Sequence, residues 1–180
     1  MPQTLLALLA LSVATLFATQ QQRYVVNSHL NKVRGELAVQ STAVAEDVLN
    51  MIGSMAFDEA TVDPDAPALT SSYQLTAIAD FGSGEGQPND IDDFHGSIAD
   101  EYKTRSIQRV DPETGTVVTS TLNFEVDVAI SYANEHDLDA PQIAKSKVKK
   151  VVVTVYSTDI SRPDTVQLAR SFVCGSKCDW

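Results

Sequence analysis

Between Met1 and Gln22 the chain has no charged side chain, and between Pro2 and Pro64 it has no proline. Glycine is almost missing from the same region, with only Gly35 and Gly53. So few breakers exclude a multi-element N-terminal half and predict one helix from about residue 3 to about residue 57. Such a rod is roughly 80 Å long at 1.5 Å per residue. No single core in a 180-residue chain buries a helix of that length. Lipid, the chain's own globular part or copies of itself must cover it.

Other scarcities exclude whole classes. Thirteen Lys and Arg stand against 24 Asp and Glu, a net charge of -11, which argues against a general nucleic-acid binder. The two cysteines, Cys174 and Cys178, are too few for a disulfide framework. They read as one small disulfide loop in an oxidising compartment, with free thiols as the rival. As half of a zinc site they lack a second Cys/His pair. No phosphate loop, zinc-helix motif, nucleophile elbow or dinucleotide fingerprint occurs, and His29, His95 and His136 share no partner, so no enzyme is expected.

What is present begins with Leu5-Leu6-Ala7-Leu8-Leu9-Ala10-Leu11, continuing through Ser12-Val13-Ala14-Thr15-Leu16-Phe17-Ala18. Residues 1–22 admit three readings: a cleaved signal, a membrane anchor of about 20 apolar residues, or a segment that waits in a membrane and later packs in a polymer core. A signal would lack its usual basic start and small-residue cleavage site. From Val26 onward the helix changes character. Val33, Leu37, Val44, Val48, Ile52 and Met55 step by three, four or seven, a stripe suited to packing on a sheet. Polar side chains such as Asn31, Lys32, Glu36 and Asp47 fill most of the remainder. The division expected is an apolar transmembrane or filament-core half (1–27), an amphipathic half (28–57), a linker and acidic region (58–101) and a sheet domain (102–180).

Asp63-Pro64-Asp65-Ala66-Pro67 ends any helix. Asp90, Asp92, Asp93 and His95 then cluster beside a glycine-bearing loop. Such carboxylates suit Ca2+, a hard cation taking oxygen ligands, although the spacing is not an EF-hand. Alternatively, they cap a short helix and satisfy turn amides while Phe94 anchors the loop. A third reading makes His95 an acid or base, without a marked nucleophile. From residue 102 the period turns to two. Strands are predicted over 102–110, 121–131, 147–157 and 165–173, with a hairpin turn at Asp111–Gly115 and a polar surface excursion over 134–144. The centre, Val151-Val152-Val153-Thr154-Val155-Tyr156, reads as a strand covered on both faces. The fold class is α+β: a long N-terminal helix packed on an antiparallel sheet of about four strands.

The apolar-then-amphipathic helix, its close at Ala56-Phe57-Asp58-Glu59-Ala60, and Ile91-Asp92-Asp93-Phe94-His95-Gly96 before the sheet resemble the type IV pilin-like superfamily of pilins and pseudopilins. They look most like minor-pilin-like proteins of mannose-sensitive haemagglutinin pilus assembly. The likeness covers most of the chain in outline and only those short stretches in letters. Leu5 departs from it, standing where pilins typically carry a glutamate. The resemblance implies a structural subunit of an extracellular, cell-surface filament used in adhesion, its precursor held in the inner membrane. Its partners would be sister copies, that membrane and the assembly machinery, with no cofactor apart from the calcium reading above. Leu5, Leu8, Leu9, Leu11, Leu16 and Phe17 would pack in the filament core. Two alternatives stand: a non-polymerising membrane-anchored pseudopilin or stalked periplasmic binding module, and an exported enzyme with a cleaved signal.

Overall fold

The computed structural model describes residues 2–83, 87–96, 102–111, 113–160 and 164–180, apart from the side chains of Pro2, Thr4, Leu5, Arg109 and Asp139. Helix α1 spans Pro2–Ile52, and the chain forms two compact units, Met1–Leu37 and Ala38–Trp180. The first unit is helix alone, and every described side chain from Gln3 to Gly35 is exposed.

In the second unit the helix packs on a C-terminal antiparallel sheet, which makes the fold mixed α+β. The face of α1 that enters the core carries Ser41, Val44, Ala45, Val48, Leu49 and Ile52, all buried. Met55, just past the helix, packs partly buried against the same core, and Leu37 is buried. Val33 does not join the expected packing stripe, being 40 % exposed. The helix also stops five residues earlier than its patterning suggested. At Gly53 a Cβ would stand 2.8 Å from the ring of Phe172, so a side chain there would have to displace that ring. Beyond it the backbone takes other partners: Ala56 N–H donates to Asn89 O (3.3 Å), and Ile91 N–H donates to Ala56 O (2.9 Å).

The sheet holds five strands among the described residues, not about four: β1 (Thr104–Val110), β2 (Val117–Asn134), β3 (Asp137–Gln142), β4 (Val148–Ser157) and β5 (Val166–Val173). Their order is β1-β2-β4-β5, with β3 also paired to β2. All pairings are antiparallel. The hairpin expected at Asp111–Gly115 forms, with Val110 opposite Val117 and Gly115 at φ +67°. Two expectations need correction. The polar excursion over 134–144 contains β3, an edge strand that tolerates Pro141 opposite Ala133. The central strand β4 is fully buried on one face only; Lys150, Val152, Thr154 and Tyr156 of the other are half-buried. Phe124, Val128, Ile130 and Tyr132 of β2 meet Val151, Val153 and Val155 of β4 in the core.

The acidic region closes what would be an open stretch of the β2 edge. Gly96 N–H donates to Val128 O at 2.8 Å, and Ile130 N–H donates to Nδ1 of His95 at 2.9 Å. A ring side chain thus stands in for a missing strand. At the other end, Cys174 and Cys178 form a disulfide and both are buried in the core. Their loop also reaches the linker. Lys177 donates to the carbonyl oxygens of Asp63 (3.2 Å), Pro64 (2.7 Å) and Ala66, and its own carbonyl accepts from Leu69 N–H at 2.7 Å. The loop therefore pins the proline-bearing linker.

Candidate functional site

Two places carry chemistry. The first is the exposed apolar start of α1. Leu6, Leu8, Leu9, Leu11, Val13, Leu16 and Phe17 are all more than half exposed, with Phe17 at 69 %. The side chain of Leu5 lies outside the described residues. The hydroxyls within this run are satisfied by the helix itself: Ser12 donates to Leu8 O (2.8 Å), Thr15 to Leu11 O (3.1 Å) and Ser12 O (2.9 Å), and Thr19 to Thr15 O (3.0 Å). A segment with no unmet side-chain polar group is ready for a dry surround on every side.

Among the described residues no helix is long and apolar enough to cross a membrane. The apolar stretch then meets Thr19-Gln20-Gln21-Gln22-Arg23.

The second place is a buried charged centre that sequence reasoning missed. Lys149 is fully buried at an inward position of β4. Its Nζ donates to Phe57 O (2.7 Å), to Asp58 Oδ2 (2.8 Å) and to Asp92 Oδ1. The rings of Phe57, Phe81 and Tyr132 surround that nitrogen at 4.7, 5.4 and 5.6 Å. Asp58 is held from several sides at once. It accepts from Thr76 N–H (3.0 Å), the Thr76 hydroxyl (3.1 Å) and Ala60 N–H (3.3 Å), while Tyr132 donates to Thr76 O at 2.8 Å. Asp92 is less well held. Its Oδ2 has no hydrogen-bond partner among the described residues, because the nearby Thr76 hydroxyl gives its one proton to Asp58. Burial pushes the Asp92 carboxyl up, against the lowering pull of Lys149. Burial and the neighbouring Asp92 push Asp90 up to about 7. The Tyr132 phenol is raised by burial and by the Asp58 charge.

The three aspartates read as candidate calcium ligands therefore do different jobs. Asp92 pairs with Lys149, Asp90 accepts Asp93 N–H at 3.1 Å, and Asp93 accepts Asn89 N–H at 3.0 Å. Phe94 is buried beneath them, as the capping alternative requires. Among the described residues no group of three His, Cys, Asp or Glu side chains gathers around a common point. The missed lysine did leave a signal. Lys149, Val151, Val153 and Val155 share one parity in an alternating strand, so a lysine stood at a core position. Compared with family models, with curated proteins and with solved structures, the chain matches none.

Proposed function

We propose that the protein is a structural subunit of a type IV pilus-like extracellular filament, held together by the N-terminal parts of α1. The observation that carries this reading is the exposed apolar run from Leu6 to Phe17, whose polar side chains are all satisfied within the helix. Ala7, Ala10, Ser12, Ala14 and Ala18 are small enough for backbones to approach closely. Leu8, Leu9, Leu11, Leu16 and Phe17, with Leu5, exchange one apolar surround for another, from the inner membrane of the precursor to sister helices. Both surrounds are dry, so the exchange releases little free energy and assembly needs driving machinery. The same contact repeated head to tail builds an open helical polymer.

The test is Leu9→Asp. Sheared cell-surface material from the wild type should show filaments by electron microscopy, and the variant none; intact filaments in the variant would refute the buried bundle. The second reading, a non-polymerising anchored pseudopilin, is favoured by Leu5, which removes a glutamate that pilins use in assembly. It predicts bare membranes in the wild type as well.

A further inference from the structure

We infer that the buried centre is a self-modifying site, in which the side chains of Lys149 and Asp92 condense to an intramolecular amide that ties β4 to the acidic loop. The proposal stands apart from the filament reading and concerns the second compact unit alone.

Four features of the centre point to it. The amine nitrogen and the carboxyl are in direct contact, with Lys149 fully buried and Asp92 nearly so. They are walled by three aromatic rings, so bulk water, which would favour the separate acid and amine, is kept out. Asp58 stands 2.8 Å from the same nitrogen and is fixed by three further donors, the position and rigidity wanted of a proton carrier. Finally, the two carboxylates differ in the way the reaction needs. Asp58 is held in place beside the amine by its hydrogen bonds, while Asp92 has one oxygen with no partner among the described residues and is held toward its neutral, electrophilic form by burial.

The balance needs no outside reagent. Asp58 Oδ2 takes a proton from the Lys149 ammonium, and the freed lone pair of Nζ attacks Cγ of Asp92. The tetrahedral adduct then collapses as the Cγ–Oδ2 bond breaks. That oxygen leaves as water with the Asp92 carboxyl proton and one proton of the attacking nitrogen, while Asp58 keeps the proton it took. The Lys149 ammonium, the Asp92 carboxyl and the Asp58 carboxylate become one amide, one water and an Asp58 carboxyl, with no change in net charge or oxidation state. The direction is favoured because a buried ion pair bears a desolvation cost that an amide does not. Prior alignment also replaces a bimolecular encounter. The new N–H keeps an acceptor in Phe57 O or Asp58 Oδ2, at 2.7 and 2.8 Å from the nitrogen.

Intact-mass spectrometry of the denatured full chain is the test, followed by peptide mapping. The expected wild-type mass is one water below that of the disulfide-bonded chain, and digestion should yield a branched peptide joining the segments that contain Asp92 and Lys149. Lys149→Arg should restore the full mass, and so should Asp58→Asn, which keeps both reacting groups and removes the proton carrier. The wild-type measurement stands even if a variant fails to fold. A wild-type mass without the loss of water, or a branch mapped to Asp58, overturns the proposal.

Discussion

Replacing Lys149 with methionine tests whether the charged centre organises the second unit. The side chains of Lys149 and Asp58 are 0 % exposed and that of Asp92 is 4 % exposed, so no water replaces the lost ammonium. Methionine keeps most of the volume and the contact with Phe57, Phe81 and Tyr132, so the loss is mainly electrostatic. Removing one partner of a buried pair costs about 3–5 kcal/mol. Each aromatic contact to the cation adds about 0.5–2 kcal/mol. The orphaned carboxylates relieve part of this by taking up protons. Urea denaturation at pH 7 should therefore show Lys149→Met less stable by at least about 3 kcal/mol. A Lys149–Asp92 amide would increase the deficit, since the variant then also forfeits a tie across a separation of 57 residues. The pH dependence has a definite sign. Without the lysine, the folded carboxyls bind protons more tightly than the unfolded ones, so stability is greatest at low pH and falls as pH rises. The deficit should be smaller at pH 5 than at pH 8. A loss under about 1 kcal/mol, equal at both values, would refute the reasoning.

Three further outcomes follow. Gly82 sits at φ +72° with its N–H on Asp92 O (2.9 Å), and a Cβ there would meet His95 O at 2.3 Å; Gly82→Ala should cost about 3 kcal/mol and speed amide exchange over residues 89–96, which hydrogen exchange reads. Asp90, pushed from 3.8 up to about 7, keeps in the folded state a proton that the unfolded chain has lost, so wild-type stability falls from pH 4 to 7 and is level above that. Asp90→Asn should therefore match the wild type near pH 4 and exceed it at pH 8 by no more than about 4 kcal/mol, measured as paired denaturation midpoints. Cys174→Ser should lower stability by about 2 kcal/mol and open the segment 63–69 to limited proteolysis, because Lys177 then loses its fixed position over the linker carbonyls.

The fold class was legible because its main signals are periodic. The α1 stripe at Val44, Val48 and Ile52 and the alternation from Phe124 to Ile130 each follow one backbone repeat. What escaped was set by tertiary contact. Val33 carries the same periodicity as Val44, and sequence alone does not say how far the covered part of a helix extends. The strand β3 was hidden by its polar residues and Pro141, acceptable only because it is an edge. The helix end was misplaced because Ser54 to Phe57 keep helical patterning while hydrogen bonds to Asn89 and Ile91 claim the backbone at Ala56. The acidic cluster was visible as a cluster, but its role depended on Lys149, far along the chain. His95, one candidate for acid–base work, accepts a backbone N–H from β2 instead.

The proposed filament depends on chain-to-chain burial of the first turns of α1. Leu9→Cys in the full-length protein, oxidised within sheared surface material and run on a non-reducing gel, addresses it directly. Dimers linked through residue 9 are predicted, with the same experiment at Val48, buried within its own chain, giving monomers only. Monomers alone at position 9, in material that contains the protein, would contradict a core built from these helices.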